Sequence, residues 1–176
     1  MQKLWTVAFM GALMAAAGAV PARASELHSG TSLCIKPVAG VDSLDGYEIV
    51  QVPCDPYDAS MFWTPKYVRD FDGAHWFMLR NEGARQGGFE RCLDLTDGVT
   101  ADWQPLQLWT CNPRSTTMLW TYDPNGDTRF INARSRKCMD VRSGSFETGA
   151  VIQNYHCANL PDGSPNYAQI WNWGPH

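Results

Sequence analysis

The chain has 176 residues and a formal net charge of −4 at pH 7, a length that fits one domain of ordinary size. The acidic balance argues against nucleic acid or an anionic membrane surface as a partner. The densest basic group consists of Arg134, Arg136 and Lys137. It is too small to reverse that argument, and a solvated loop explains it.

The first 24 residues are typical of a signal peptide rather than of a folded domain. Lys3 gives a positive start, residues 4–20 are almost entirely apolar and uncharged, and small residues fit a cleavage site after Ala24. The alternative is a membrane anchor, for which the apolar run is slightly short. No cysteine precedes Cys34, so a lipoprotein anchor has no attachment point. We therefore expect a mature chain that starts at Ser25, has no transmembrane span, and is secreted or periplasmic.

Six cysteines follow this segment, which indicates disulfides formed in an oxidising compartment. Zinc binding is the competing interpretation of a chain with several cysteines and histidines. However, the chain has no C-x-x-C pair and its four histidines are scattered, whereas structural zinc sites normally use close ligand pairs. We therefore predict no metal site and no cofactor.

The cysteines also mark an internal repeat. The two cysteines of each successive pair are 20, 19 and 19 positions apart, and a tryptophan follows the second cysteine by 9, 9 and 14 positions. These spacings describe three copies of one unit and select local disulfides. The predicted pairs are Cys34–Cys54, Cys92–Cys111 and Cys138–Cys157, followed by Trp63, Trp120 and Trp171. The predicted domain spans residues 25–176, with repeats at about 27–72, 73–122 and 123–176.

Each copy reads as a set of short β-strands. Its first cysteine begins an apolar run, its second ends one, and Gly, Asp, Ser and Thr between them favour turns. No segment after Ser25 has apolar residues at helical spacing over three turns, so we predict an all-β domain with about four strands per repeat. One such unit cannot bury its own apolar face, so the copies are expected to close around a pseudo-threefold axis. The pairs that would supply the shared core are Phe62-Trp63, Leu119-Trp120 and Ile170-Trp171.

The stretch from Lys137 to Cys157 gathers three side chains that suit sugar binding. Asp140 lies just after its first cysteine, and Gln153 and Tyr155 lie just before its second. A charged acceptor makes strong hydrogen bonds, and an aromatic ring gives contact area at little entropic cost. The alternative is structural: the aspartate would cap a turn, and the glutamine would be a polar residue of the strand ladder.

These motifs resemble the ricin B-type lectins, a family of β-trefoils. The shared pattern is Cys-x-Asp, an amide and an aromatic residue before the second cysteine, and an x-x-Trp ending. The Gln-x-Trp ending of the family is present in the third copy at Gln169, whereas the first two copies have Met61 and Met118. The resemblance covers the whole chain after the signal peptide, and it implies a β-trefoil of three Cys-paired repeats.

The resemblance implies sugar-binding roles for two of the three copies. In the family, the aspartate accepts hydrogen bonds from sugar hydroxyls, the ring stacks on the apolar face of galactose, and the glutamine supports the aspartate. The matching residues are Asp140, Gln153 and Tyr155 in the third copy, and Asp94, Gln107 and Trp109 in the second. The first copy has Lys36 and Val52 at the corresponding positions and is expected to be structural only.

Two departures from the family pattern concern the implied pockets. An asparagine that binds a further hydroxyl in the family is replaced by Thr117 in the second copy and by Ala168 in the third. In the third copy, Asn159 or Asn166 would have to substitute for it. The loop of the second copy also carries Trp103, which would either extend its aromatic platform or block it.

The leading hypothesis is a secreted lectin that binds galactose- or GalNAc-type glycans on cell surfaces or in extracellular material. The second hypothesis is a delivery subunit that docks a catalytic toxin subunit, because the ricin-like subunits of cytolethal distending toxins are similar to this chain in size, export signal and repeats. Its many tryptophans, including Trp76, Trp103 and Trp173, would suit a contact patch. An enzyme is not expected, because the chain has no G-x-S-x-G, H-E-x-x-H or Gly-rich phosphate loop.

Overall fold

The structure is a computed structural model that describes residues 24–39, 45–123 and 128–174. These residues form twelve β-strands and one short α-helix, α1 (Glu82–Gln86). The strands are β1 (Ser25–Ser29), β2 (Cys34–Pro37), β3 (Tyr47–Val52), β4 (Phe62–Phe71), β5 (Ala74–Asn81), β6 (Arg91–Leu95), β7 (Gln104–Thr110), β8 (Trp120–Tyr122), β9 (Phe130–Asn132), β10 (Cys138–Val141), β11 (Ile152–Tyr155) and β12 (Trp171–Trp173). The all-β prediction is confirmed.

The predicted signal peptide falls outside the described residues except for Ala24. It therefore stays a prediction, as do the exact repeat boundaries. Within the described part of the chain, no helix is both long and apolar enough to cross a membrane.

Six of the strands form a barrel. Strand β12 pairs with β1, β1 with β4, β4 with β5, β5 with β8, and β8 with β9, all antiparallel. The backbone N–H of Trp171 donates to the hydroxyl of Thr128 at 3.3 Å, which brings the start of β12 beside the segment leading into β9. Closing a sheet in this way removes free strand edges.

The other six strands form three hairpins, which are β2–β3, β6–β7 and β10–β11. Strand β7 also pairs with β3 and with β11, and a bridge between Val50 and Val151 joins the first hairpin to the third. Every hairpin therefore contacts both others, which gives the arrangement an approximate threefold symmetry. A six-stranded barrel with three such hairpins is the β-trefoil that the sequence predicts.

One continuous core fills the barrel. Trp63, Trp120 and Trp171 are fully buried, and their indole N–H groups donate to the backbone oxygens of residues 35, 93 and 139 at 3.1, 3.3 and 3.0 Å. Each polar indole atom is thus satisfied inside an apolar interior, as burial requires. The predicted burial of the three tryptophans is confirmed.

The neighbours of these tryptophans behave differently from the prediction. Phe62 and Ile170 are only half-buried. Leu119 is buried, but it belongs to a smaller apolar cluster with Trp76 and Met78 rather than to the main core. In a strand, successive side chains point to opposite faces, so the residue before each tryptophan faces away from the barrel interior.

The three predicted disulfides are confirmed as Cys34–Cys54, Cys92–Cys111 and Cys138–Cys157. In each repeat the first cysteine is the first or second residue of a hairpin strand, and the second lies just beyond the partner strand. Each bond therefore closes one hairpin loop and fixes the open end of that hairpin, which is where the candidate sites lie.

Candidate functional site

The third hairpin brings together the three residues predicted from the sequence. Asp140 on β10 lies opposite Gln153 on β11, and Cys138 lies opposite Tyr155. The three side chains line one cavity of about 300 Å³, which we call the third pocket. Its other lining residues include Trp103, Asn166 and Tyr167.

The Asp140 carboxylate is buried and held by two amides. Asp140 is only 4% exposed to solvent. Oδ1 accepts a hydrogen bond from Gln153 Nε2 at 2.8 Å, and Oδ2 accepts one from Gln169 Nε2 at 3.0 Å. Each carboxylate oxygen has about two acceptor positions, so each keeps capacity for one more donor, such as a sugar hydroxyl.

Burial raises the pKa of Asp140 to about 6, even though the two glutamine donors act to lower it. Keeping this carboxylate ionised at neutral pH costs the fold on the order of 3 kcal/mol, at about 1.4 kcal/mol per pKa unit. A carboxylate that is held at such a cost beside a cavity is typical of a functional site.

An arginine fixes the orientation of Gln153. Arg142 Nε donates to Gln153 Oε1 at 2.9 Å, so the amide must present its NH₂ group to Asp140. Arg142 also donates from Nη2 to the backbone oxygen of Trp103 at 3.0 Å. One arginine therefore connects the supporting glutamine to the aromatic wall of the third pocket.

Trp103 belongs to the third pocket, although it lies in the loop of the second repeat. Its ring centroid is 4.7 Å from that of Tyr155, with the planes tilted by 59°, and it is 52% exposed. Neither role that the sequence assigned to it in its own repeat is therefore correct. Its φ of 68° is left-handed, and the third repeat has Gly149 at the equivalent position with a φ of 88°.

The loop that carries Trp103 is anchored to the third repeat through the preceding residue. Asp102 Oδ1 accepts hydrogen bonds from Lys137 Nζ at 2.6 Å and from the backbone N–H of His156 at 3.0 Å. Asp102 Oδ2 lies 2.9 Å from His156 Nδ1. The pKa of Asp102 is lowered by these hydrogen bonds, so it stays a carboxylate that holds the loop in place.

One asparagine in the third pocket stands near the position of the asparagine that the family pattern has and this repeat lacks. Ala168 occupies its position and is buried. Asn166 lines the pocket, where its Oδ1 caps the next turn by accepting from the backbone N–H of Ala168 at 3.1 Å. Asn159 instead accepts from Arg129 Nη1 at 3.2 Å. Of the two substitutes considered, only Asn166 lines the third pocket.

The second repeat forms a similar cavity of about 280 Å³, which we call the second pocket. Asp94 and Trp109 line it, and Gln107 donates to Asp94 Oδ2 at 2.8 Å. The hydroxyl of Thr117 donates to Asp94 Oδ1. Burial raises the pKa of Asp94, as it does for Asp140. Asn112, which directly follows Cys111 and was missed in the sequence, also lines this pocket.

In the second repeat, Thr117 and Met118 together fill the two hydrogen-bonding roles that Gln169 has in the third repeat. Gln169 Oε1 accepts from the backbone N–H after the repeat's second cysteine at 2.9 Å, and Nε2 donates to the aspartate. The sulfur of Met118 takes the first role, accepting from Asn112 N at 3.2 Å. A thioether cannot donate, and Thr117 supplies the donor to Asp94. The loss of glutamine from this motif therefore leaves the aspartate with two donors.

The first repeat has no equivalent carboxylate. Lys36 Nζ forms an ion pair with Asp58 Oδ2 at 2.6 Å, and the residue opposite Lys36 is Val50 rather than a glutamine. Asp58 also accepts from the backbone N–H of Ser60 at 3.0 Å. Lys36 is therefore engaged in an ion pair within its own repeat, which fits the expectation that this repeat is structural.

The structural alternative, in which Asp140 caps a turn, is wrong, and Asp94 does not cap a turn either. The 3₁₀ turns after β6 and β10 are Thr96–Gly98 and Arg142–Gly144, and neither has a side-chain cap. The two carboxylates instead accept from glutamine and threonine side chains.

A profile of the ricin-type beta-trefoil lectin domain matches residues 27–171. The chain belongs to this family. A comparison with curated protein sequences finds no significant match, so the family assignment rests on the domain profile and on the fold.

Solved structures of other β-trefoils resemble this ricin-type lectin domain. The designed threefold-symmetric protein ThreeFoil matches with a TM-score of 0.69 and 17% identity, over 87% of this chain and 99% of its own. The Haemophilus ducreyi cytolethal distending toxin matches with 0.64 and 11%, over 89% and 86%. The C-terminal half of the earthworm R-type lectin, in complex with GalNAc, matches with 0.58 and 14%, over 86% and 97%. Other similar chains are longer, and this lectin domain spans less than a third of them.

The raised pKa of Asp140 predicts that a sugar held by this carboxylate would bind less tightly in mild acid. Protonation removes the charge of this carboxylate and turns one of its oxygens into a hydroxyl donor, so affinity at the third pocket should fall about tenfold between about pH 7.5 and about pH 5. Two neighbours act on the pKa of Asp140 in opposite senses: His156 lowers it and Asp102 raises it. Calorimetric titration in an Asp94→Ala background, which silences the second pocket, measures the change.

Unfolding does not account for such a loss. The folded-state pKa of Asp140 lies above its unfolded value, so the contribution of this group to stability is present in acid and is lost as pH rises towards about 6. Circular dichroism at both pH values provides the control. Equal affinity at the two pH values would contradict a role for the Asp140 carboxylate in binding.

Proposed function

We propose that the protein is a secreted, non-catalytic lectin that binds galactose- or GalNAc-type glycans through the third and second pockets. The observation that carries the proposal is the buried Asp140 carboxylate, which two amides hold beside a cavity that Tyr155 and Trp103 also line. The same arrangement of aspartate, supporting glutamine and exposed aromatic ring occurs at Asp94 and Trp109.

The chemistry of galactose fits these residues. Its axial 4-hydroxyl leaves one face of the ring rich in C–H groups, and that face stacks on an aromatic ring, while neighbouring hydroxyls donate to one carboxylate. Hydrogen bonds to a charged acceptor are stronger than neutral ones. Because Gln153 and Gln169 already orient Asp140, little ordering is left for the sugar to impose on the site.

Two pockets on one rigid domain favour binding to surfaces that carry many glycans. A single shallow sugar site binds with on the order of −4 kcal/mol, or millimolar affinity. Simultaneous occupation of the second and third pockets would raise the apparent affinity through avidity. Secretion is supported by the three disulfides, which are typical of oxidising compartments.

A glycan array of the mature protein tests this function. We expect retention on glycans that end in galactose or GalNAc and none on their glucose and GlcNAc epimers, which differ at C4. Asp140→Ala and Asp94→Ala variants identify the working pocket, and the double variant should bind no glycan. Binding to no glycan by the wild type, or equal binding by the double variant, would refute the proposal.

The second candidate is a cell-binding or delivery subunit that docks a catalytic toxin subunit. What supports it is that this chain covers 86% of the matched Haemophilus ducreyi toxin chain, so the two are similar in length. Trp76 does not belong to the contact patch that the sequence predicted, because it is buried and stacks on Phe71. Co-purification with the product of a neighbouring nuclease-like toxin gene would favour this candidate over a free lectin.

A further inference from the structure

A second aromatic pair borders the third pocket and is separate from Tyr155 and Trp103. Tyr167 lines the cavity, and its ring stacks on that of Phe146 with centroids 5.3 Å apart and planes 28° apart. Phe146 is 64% exposed and Tyr167 is 36% exposed. An exposed phenylalanine that is paired with a pocket residue is available for contact with a ligand larger than one sugar ring.

The loop that carries Phe146 is held on both sides. The buried Gln51 of the first repeat donates from Nε2 to the backbone oxygens of Ser145 at 2.7 Å and Glu147 at 3.0 Å. These oxygens flank Phe146 in the sequence. The platform is therefore fixed before any ligand arrives, which lowers the entropic cost of using it.

Tyr167 is fixed by the turn that it packs against. Its hydroxyl donates to the backbone oxygen of Gly144 at 3.0 Å. A Cβ at Gly144 would lie 2.7 Å from that hydroxyl, and the φ of this glycine is +57°. Both conditions favour glycine at this position, so the close approach of Tyr167 to the turn is built into the sequence.

The second pocket lacks this pair. Thr100 lies 8 positions after Cys92, where Phe146 lies 8 positions after Cys138, and Thr116 lies 4 positions before Trp120, as Tyr167 does before Trp171. The loop between the two cysteines has the same length in both repeats. The aromatic pair is therefore specific to the third pocket, and the second pocket serves as an internal comparison.

We propose that the third pocket binds an oligosaccharide rather than a single sugar: the terminal residue occupies the site at Asp140, and the next residue packs on Phe146 and Tyr167. This inference rests on the proposed lectin function. A sugar ring presents C–H groups that stack on an aromatic face, and two platforms beside one cavity provide for two consecutive rings. The second pocket, with Trp109 alone, should bind only the terminal sugar.

Titration calorimetry with methyl β-galactoside and a panel of galactose-terminated disaccharides of different linkage tests this proposal. In the Asp94→Ala background, at least one disaccharide should bind at least about fivefold more tightly than the monosaccharide. Phe146→Ala should abolish that gain without changing monosaccharide affinity, and Phe146→Tyr should keep it. In the Asp140→Ala background, which leaves the second pocket, no disaccharide should gain. Tyr57→Ala is a matched control, because Tyr57 is 95% exposed and lines neither pocket.

The outcomes separate this inference from the function on which it rests. A wild type that binds the monosaccharide but gains nothing from any disaccharide overturns the inference alone. A disaccharide gain that survives Phe146→Ala also overturns it. Absence of binding to every monosaccharide and disaccharide overturns the proposed function and the inference together.

Discussion

Asp140→Ala is expected to abolish detectable galactoside binding at the third pocket, with a loss of at least about 100-fold in affinity. The carboxylate would accept two hydroxyls, and hydrogen bonds to charged groups contribute about 1.5–3 kcal/mol each. The change also leaves the amide donors of Gln153 and Gln169 without their acceptor. The loss is measured by titration calorimetry in the Asp94→Ala background.

Two comparisons show whether the loss comes from the carboxylate. Asp140→Asn keeps the side-chain volume but offers one acceptor oxygen in place of two, so it should also bind weakly. Thr110→Ala alters a lining residue of the second pocket whose hydroxyl hydrogen-bonds with Arg91 and Asp45, and it should leave affinity at the third pocket unchanged. Normal binding by both Asp140 variants would contradict the assignment of this site.

Removing the third disulfide with Cys138→Ala/Cys157→Ala is expected to lower the unfolding free energy by about 3 kcal/mol, as the chain-entropy model gives for a loop of this length. The bond spans 19 positions. Removal of the bond should also weaken binding at the third pocket, because Cys138 pairs directly with Tyr155 in the hairpin. Chemical denaturation and calorimetry measure the two effects.

The first-repeat variant Cys34→Ala/Cys54→Ala is the matched control, since its loop spans 20 positions. It should lose similar stability but keep third-pocket affinity when both proteins are measured well below their unfolding temperatures. If the third-repeat variant keeps full affinity, the disulfide does not position Tyr155. If neither variant loses stability, the disulfides contribute less than the chain-entropy model predicts.

The fold could be predicted from the sequence because its determinants recur. Each repeat places a cysteine, a second cysteine and a tryptophan in the same order, and these residues form the disulfides and the core of the barrel. The support of Asp140 by Gln153 was implied by the family resemblance, and in the structure the two residues lie opposite each other in the third hairpin.

The contacts between repeats could not be predicted in this way. Trp103 belongs to the loop of the second repeat but lines the third pocket. Its neighbour Asp102 anchors that loop through hydrogen bonds with Lys137 and His156. These contacts depend on how the hairpins pack together, which local spacing does not specify. Gln51 supports the loop around Phe146 for the same reason.

The replacement of Gln169 by methionine in the other repeats shows a second limit. In the sequence, Met118 stands where the third repeat has the polar Gln169, so a polar side chain is lost. In the structure, its sulfur keeps the acceptor role and Thr117 restores the donor to Asp94. The compensation is visible only when both side chains are seen against one carboxylate, so the second pocket is better preserved than its motif indicates.

An NMR titration of the wild type with methyl β-galactoside shows whether the third pocket is a sugar site. With ligand up to about 50 mM, well above an expected millimolar dissociation constant, we predict saturable shifts of the Gln153 side-chain amide and the Trp103 indole N–H. Methyl β-glucoside should leave both unchanged. Absence of shifts at these two groups, or equal shifts with both sugars, would contradict galactose binding at the third pocket.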